Sequence, residues 1–267
     1  MVFGLGKSKQ AAPAKAEPAK PVAPGIATAA PSAIVRGPMS GLMQDWKLTV
    51  DKVIEHAHQN HGTREIVTRT VEGPIVRSTY SDLYWRARKC SNALRADGVQ
   101  KGDRIATLAW NTTRHIEVWY GTMCIGAVLH TLNPRLFPEQ IAWIINHAED
   151  THVFYDITFQ PIIEAIKDKV PSVKHWVVLT DAAHKPQSVI ANLRTYEEYI
   201  APHSTDVVWG DFPEDTACGL CYTSGTTGDP KGVLYSHRSN ILHTMIGLQK
   251  DAIGVGAADT VLPVVPM

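Results

Sequence analysis

The residues best suited to chemistry lie in one short segment, residues 222–233, which read YTSGTTGDPKGV. Glycines at 225, 228 and 232 permit backbone conformations in which successive N–H groups converge. Lys231 supplies a cation, and four hydroxyl groups supply further donors. Those hydroxyl donors belong to Thr223, Ser224, Thr226 and Thr227. An anion needs this combination of donors, so the segment predicts a cradle for a polyphosphate.

Two alternatives apply to the same segment. A polar surface turn usually contains the same residues, namely glycine, serine, threonine, aspartate and proline. Composition alone therefore favours a surface turn and a phosphate cradle equally. A Walker A loop requires the spacing G-x-x-x-x-G-K-[ST]. Here Gly225 and Gly228 are too close together, Pro230 precedes Lys231 and Gly232 follows it, so the spacing excludes that motif.

The loop follows a run of small apolar residues, 217–222, which predicts a buried strand. Cys218 and Cys221 in this run form a C-x-x-C, but no second cysteine pair or histidine pair follows at metal-ligand spacing. We therefore interpret both cysteines as small hydrophobic residues of a strand, in preference to a redox pair or half of a zinc site.

The rest of the chain alternates between two hydrophobic periods, which predicts an α/β fold with a largely parallel sheet flanked by helices. A helix near residues 50–57 precedes a hairpin around Gly73-Pro74, and a helix capped by Thr79 and Asp82 ends at Gly98. Strands are expected at 104–110, 127–132, 152–155, 175–179 and 217–222. Helices are expected at 114–125, 138–148, 161–169 and 237–253.

Composition restricts the function. Lys+Arg and Asp+Glu each total 26, so no net charge attracts nucleic acid or anionic lipid. No apolar run approaches the roughly 20 residues of a transmembrane helix. All four cysteines lie in apolar segments, which favours free thiols in a reducing compartment, and we expect a cytoplasmic protein. The sequence does not indicate an oligomeric state.

The two ends of the chain differ from its middle. Residues 1–38 are rich in alanine, proline and lysine and predict a disordered tail, whereas residues 39–267 predict part of one domain. Residues 259–266 begin a further predicted strand that stops at Met267. We therefore expect the domain to be incomplete at its C-terminus.

Other residues with chemical potential receive structural interpretations. We expect the histidines to be solvated, the tryptophans to be core residues, and the polar helix-start residues to be as consistent with solvation as with function. The histidines are His56, His58 and His61; the tryptophans are Trp110, Trp119 and Trp143; the helix-start residues are His237, Arg238 and Asn240.

Residues 223–232 resemble the signature loop of the AMP-binding superfamily, which includes acyl-CoA synthetases and luciferases. Further motifs occur in the order found in that family's N-terminal domain. They are GVQKGD at 98–103, Tyr120-Gly121, GAV at 126–128, NPRL at 133–136, Gln140-Ile141 and His147. The resemblance extends over about residues 39–267, and its NPRL and Gln140-Ile141 region is most similar to fatty-acid or medium-chain acyl-CoA ligases.

The resemblance implies the N-terminal part of an adenylate-forming ligase large domain. It implies ATP and Mg²⁺ as cofactors, coenzyme A as co-substrate, and a medium- or long-chain fatty acid as the carboxylic acid. Residues Thr223 to Gly228 and Lys231 would bind the nucleotide phosphates, Lys231 would stabilise pyrophosphate, and Thr223 would contact Mg²⁺. The alternative is a truncated, non-catalytic chain that binds nucleotide phosphate or a partner.

Overall fold

The computed structural model describes residues 41–223 and 229–265. The chain divides after Asp45, and every element below belongs to the compact unit Trp46–Met267. The helices are α1 (Asp51–His61), α2 (Tyr80–Ala96), α3 (Thr113–Met123), α4 (Pro138–Ala148), α5 (Gln160–Ile166), α6 (Tyr196–Ile200) and α7 (His237–Gly247). The strands are β1 (Glu65–Arg69), β2 (Ile75–Thr79), β3 (Arg104–Leu108), β4 (Val128–Thr131), β5 (His152–Tyr155), β6 (His175–Val178), β7 (Arg194–Thr195), β8 (Ala217–Thr223) and β9 (Lys231–Ser236).

The main sheet has seven strands in the order β7-β6-β5-β3-β4-β8-β9. All neighbouring pairs are parallel except β8 and β9, which form an antiparallel hairpin. Strands β1 and β2 form a separate antiparallel pair. From β3 the chain continues to β4 on one side of the sheet, and from β5 it continues to β6 on the other side. The strand order therefore reverses between the neighbouring strands β3 and β5.

Helices cover both faces of the main sheet, as the alternating pattern predicts. One core includes Ile54 of α1, Leu94 of α2 and Val118 of α3, packed with sheet residues such as Ile105. The opposite core unites α4 and α5 with the alternate sheet residues, including Ala106 next to Ile105. Burial on both faces explains why the central strands are nearly continuous apolar runs.

The predicted hairpin and most of the predicted alternating elements are present within a few residues of their expected bounds. Thr79 and Asp82 form the expected reciprocal capping box at the start of α2. No helix of the described residues is long and apolar enough to cross a membrane. The predicted tail at residues 1–38 lies outside the described residues.

Three expectations near the C-terminus were wrong or incomplete. Strand β9 begins at Lys231, inside the predicted loop, and α7 ends at Gly247 instead of residue 253. Residues 259–265 form no strand. The short elements β7 and α6 were also missed, because a strand of two residues and a helix of five are too short to show a period.

Helices α2 and α3 approach closely at Gly121. A Cβ atom at Gly121 would lie 2.8 Å from Cys90 Cβ and 2.9 Å from Cys90 Sγ. The Ser91 hydroxyl donates to the Gly121 carbonyl at 2.7 Å across the same contact. Glycine is therefore required here by the packing of two helices, which gives a physical reason for the Tyr120-Gly121 motif.

We expect Gly121→Ala to destabilise the fold by about 1–3 kcal/mol, because the added methyl group overpacks the α2–α3 contact. Gly247→Ala is the matched control, since Gly247 also lies in a helix but has nothing within 4 Å of the added Cβ. The control is expected to be neutral or to stabilise by up to about 1 kcal/mol through helix propensity. Urea unfolding of both variants checks this, and equal effects would contradict the close-packing account.

Two buried histidines are held neutral. Burial lowers the pKa of His115 and the pKa of His237 to about 4 each. His115 Nε2 accepts a hydrogen bond from the Trp119 indole at 3.1 Å, and His237 Nδ1 accepts one from the Val50 amide at 3.3 Å. Both acceptors exist only on an unprotonated ring nitrogen, so the folded state resists protonation at these sites.

This arrangement predicts an acid-labile fold. The histidine pKa is about 6.5 in the unfolded chain, so stability is fully present above pH 6.5 and falls as the pH drops toward 4. Each histidine contributes roughly 3 kcal/mol to that fall. His237→Asn keeps an acceptor for Val50 and removes the titration, so its stability should decline less between pH 6.5 and 4.

Urea unfolding at a series of pH values measures the decline for His237→Asn, with exposed His243→Asn as the control. The control should retain the wild-type pH dependence. An unchanged slope for His237→Asn would contradict the assignment of a neutral buried His237.

Candidate functional site

Strand β8 contains the predicted apolar run and ends where the phosphate loop begins. It pairs in parallel with β4, with Leu129 opposite Gly219 and Thr131 opposite Cys221. Thr223 is the last residue of β8, so it lies at the carboxyl edge of the parallel sheet. Ligands of open α/β sheets bind at this edge.

The loop returns through β9, which brings its two ends together. Thr223 lies opposite Lys231 in the antiparallel register, and the Thr223 hydroxyl donates to the Lys231 carbonyl at 3.5 Å. The structure thus joins the first and last predicted phosphate-binding residues. The predicted ligands between them lie outside the described residues; they are Ser224, Gly225, Thr226, Thr227 and Gly228.

Lys231 is exposed and makes no ion pair with any residue in ranges 41–223 and 229–265. Asp229, two residues earlier, is also exposed and makes no ion pair in those ranges. The ammonium charge of Lys231 is therefore not neutralised by a described carboxylate. An anion at the loop would meet this charge without displacing a partner.

Gly232 has a different role from the one expected. It lies in β9 opposite Tyr222, and its φ is not among the positive values found in the chain. A Cβ atom there would lie 3.2 Å from Tyr222 Cζ and 3.3 Å from Leu220 Cδ1. The glycine therefore provides space for the tyrosine ring rather than a special backbone conformation.

A cleft of about 270 Å³ adjoins the base of the loop. Its walls come from the end of β4 and the segment after it, from β8, and from Val265. Asn133, Pro134 and Arg135 of the NPRL motif lie in this wall beside Cys221 and Tyr222. Two motifs almost ninety residues apart in the chain therefore meet at one edge of the sheet.

A second cleft, of about 310 Å³, lies at the carboxyl ends of β3, β5 and β6 beneath the β1–β2 hairpin. Two of its arginines are paired with carboxylates of the same cleft. Arg86 binds Glu117 at 2.8 Å and Glu197 at 2.9 Å, and Arg114 binds Glu72 at 2.7 Å. Burial raises the pKa of Glu117, while the Arg86 guanidinium opposes that shift. These cations already have carboxylate partners, so we favour the loop cleft as the functional site.

Magnesium requires hard oxygen ligands, usually carboxylates together with substrate phosphates. At the described ends of the loop, Thr223 offers one hydroxyl oxygen of this kind. The two groups of potential metal ligands among the described residues lie elsewhere: Asp97, His152 and His175, and Glu72, Asp181 and His184. Thr223 fits Mg²⁺ only as one contributor to a metal held mainly by phosphate oxygens.

His237 at the start of α7 is fully buried, which contradicts the solvated alternative. Its ring packs 4.6 Å from the Phe212 ring and receives the Val50 amide. Arg238 pairs with Glu214, and Asn240 donates to the Ser236 carbonyl at 3.1 Å. His237 and Arg238 therefore attach α7 to the body of the fold, and no local sequence pattern indicates the distant partners of His237.

The remaining histidine and tryptophan expectations hold in part. His56 is exposed, but His58 is partly buried and stacks on Tyr84 with ring centroids 4.3 Å apart. Trp119 and Trp143 are partly buried against the two cores, whereas Trp110 is 39% exposed.

The C-x-x-C does not act as a pair. Cys218 is buried in the core under the helices, whereas Cys221 is exposed and lines the cleft. Residues three apart on a strand point to opposite faces, so these two thiols cannot bind one metal ion or form a disulfide within β8. Cys218 is a core residue, as expected, and Cys221 is not.

The chain is 46% identical to a 3-methylmercaptopropionyl-CoA ligase of Ruegeria lacuscaerulensis over 229 residues. The aligned region covers 86% of this chain and 42% of the relative. The chain is also 45% identical, with the same coverage, to a medium-chain-fatty-acid–CoA ligase of Ectopseudomonas oleovorans. The chain thus spans about two fifths of the length of these relatives.

The fold agrees with a solved structure of a Mycobacterium tuberculosis fatty acyl CoA synthetase. The TM-score is 0.58 at 25% identity, over 71% of this chain and 35% of that one. The sequence model of the family described as AMP-binding enzyme matches residues 54–267, which include both motifs of the cleft and the whole phosphate loop. The chain therefore belongs to the AMP-binding enzyme family.

Proposed function

We propose that the chain supplies the triphosphate-binding part of an ATP-dependent acid–thiol ligase. The pairing of Thr223 with Lys231 at the carboxyl edge of the sheet carries this proposal. It presents a hydroxyl group and an unneutralised ammonium group at the two ends of a loop rich in glycine and hydroxyl residues. A hydroxyl donor and a cation at the ends of such a loop suit the β- and γ-phosphates of ATP.

In the proposed reaction, Lys231 would stabilise the leaving group of the first step. A carboxylate oxygen of the acid attacks the α-phosphorus of ATP, the bond to the bridging oxygen breaks, and pyrophosphate leaves with the electron pair. A thiol, that of coenzyme A, then attacks the acyl carbon, and AMP leaves. Negative charge grows on the leaving pyrophosphate in the first step, and a fixed cation at its oxygens stabilises that charge.

Magnesium bound to the β- and γ-phosphates would offset part of the same charge. Thr223 is the described residue that would contact it, through its hydroxyl oxygen. Lys231 would remain the protein's own cation at the phosphates. Phosphate oxygens would then supply most of the ligands of the ion, with the Thr223 hydroxyl as a contributor from the described end of β8.

We propose a medium- or long-chain fatty acid as the acid. The NPRL segment beside the loop supports an acyl-CoA ligase, and the two relatives above are CoA ligases for aliphatic acids by name. Cys221, Tyr222 and Val265 give the loop cleft an apolar share of its wall beside Arg135. Such a wall suits an aliphatic acid better than a small charged one.

Lys231→Met should weaken Mg²⁺–ATP binding about 10- to 100-fold, because a charge-assisted contact to phosphate is lost. Isothermal titration of the purified chain measures the affinity. Lys250→Met is the matched control, since Lys250 is exposed and distant in sequence from the loop, and it should bind as the wild type does. Equal affinity for Lys231→Met and wild type would reject the loop as the phosphate site.

The ligase proposal predicts acid-dependent exchange of pyrophosphate into ATP. Octanoate and palmitate should support faster exchange than acetate if the acid is medium- or long-chain. A faster rate with acetate would contradict the chain-length assignment. Binding of Mg²⁺–ATP with no exchange for any acid would support the narrower alternative, in which this chain only binds nucleotide phosphate.

A further inference from the structure

Tyr222 precedes the phosphate loop directly and is surrounded by aromatic rings. Its ring centroid lies 5.2 Å from that of His130, 5.7 Å from His147 and 6.4 Å from Trp143. Its hydroxyl oxygen lies 2.6 Å from Nδ1 of His147, with which it shares a hydrogen bond. Strand β8 is thus fastened to the last turn of α4, one residue before Thr223.

The tyrosine ring also supports the other end of the loop. Gly232 lies directly opposite Tyr222, and the ring occupies the space that a side chain at Gly232 would need. Thr223 and Lys231 are the next pair along this ladder toward the loop. A shift of the ring would therefore change the positions of both strand ends that carry the phosphate-binding residues.

A buried hydrogen-bonded pair lies next to the ring. His130 and Asp150 are fully buried, and His130 Nδ1 lies 2.8 Å from Asp150 Oδ2. Burial raises the pKa of Asp150, and His130 opposes this shift. Burial also raises the pKa of Tyr222, with a further contribution from the Asp150 charge, so the tyrosine keeps its hydroxyl proton for the bond with His147.

His147 itself is held in place. Its ring stacks on Trp143 with centroids 4.7 Å apart and an angle of 18° between the ring planes. Trp143 in turn packs against the core between α4 and the sheet. His147 is exposed, but the hydrogen bond to Tyr222 joins the loop base to a ring that stacks on the core-packed Trp143.

We propose that Tyr222 and His147 are positioning residues for triphosphate binding. Their hydrogen bond holds the Tyr222 ring against Gly232, and the ring fixes the spacing and direction of Thr223 and Lys231. Neither residue needs to contact the phosphates. This inference rests on the proposed function, since it explains how the loop is held ready for a triphosphate.

The test uses Mg²⁺–tripolyphosphate as the probe and five variants of the full chain, namely four single variants and the double variant Tyr222→Phe/His147→Ala. Tyr222→Phe removes only the hydroxyl, and His147→Ala removes its partner. His147→Asn retains an acceptor near the position of Nδ1. Tyr235→Phe on the adjacent strand β9 is the matched control, because Tyr235 is 45% exposed and lies on the neighbouring strand.

We expect Tyr222→Phe and His147→Ala each to weaken binding about three- to tenfold, the value of one hydrogen bond. The double variant should bind with about the affinity of the single variant that binds less tightly, because each substitution removes the same hydrogen bond. His147→Asn should restore most of the affinity, and Tyr235→Phe should bind as wild type. Because the bond is exposed, the thermal unfolding midpoints of the variants should change little from the wild-type value.

Amide hydrogen exchange supplies the readout that a merely stabilising bond would not change selectively. Exchange at Thr223 and Lys231 should accelerate in Tyr222→Phe, while the amides of β3 and β5 stay protected. Additive losses of affinity, or equal acceleration throughout the sheet, would overturn the positioning role. If wild type binds tripolyphosphate and the variants bind equally well, this inference alone fails; if wild type binds none, the proposed function fails with it.

Discussion

Parallel pairing of β8 with β4 is the constraint on which the rest of the site depends. Because parallel strands end at the same edge, this pairing places Thr223 beside the segment that follows β4. The NPRL motif and the phosphate loop are brought together by this register alone. A register shift of one residue would also exchange the faces of Cys218 and Cys221 and expose the core side of the strand.

The antiparallel return of β9 adds the second requirement. A loop that binds a polyphosphate needs its donors at a fixed spacing, and a hairpin supplies that spacing through the pairing of Thr223 with Lys231. Tyr222 and Gly232 form the rung beneath, where a large ring fits because the opposite residue has no side chain. Of two successive pairs in the β8–β9 ladder, Thr223 and Lys231 are placed for phosphate binding, and Tyr222 and Gly232 pack against each other.

The two clefts differ chiefly in how their charges are satisfied. In the cleft under the hairpin, Arg86 and Arg114 have carboxylate partners within 3 Å. Removal of Arg86 would leave the buried Glu117 without its cation. At the loop, Lys231 has no described carboxylate partner. The first arrangement contributes to the fold, whereas the second leaves a cation ready for a ligand.

The central architecture could be predicted because its sequence signals depend on residues that are close together in the chain. The capping box of α2, the apolar runs of β5 and β6 and the residue types of the phosphate loop depend on neighbours within a few positions. Strand β9 was missed because Lys231 and Gly232 continue the loop chemistry into a run of only three apolar residues. The burial of His237 and the bond between Tyr222 and His147 join residues 187 and 75 positions apart, and nothing in a single sequence indicates such pairs.

The most direct test of the central claim is the response of backbone amide chemical shifts to Mg²⁺–tripolyphosphate. The account predicts shifts at Thr223 and at residues 229–232, with little change around Glu72 and Arg114. Shifts confined to the cleft of Glu72 and Arg114, or none at the ends of the loop, would contradict it.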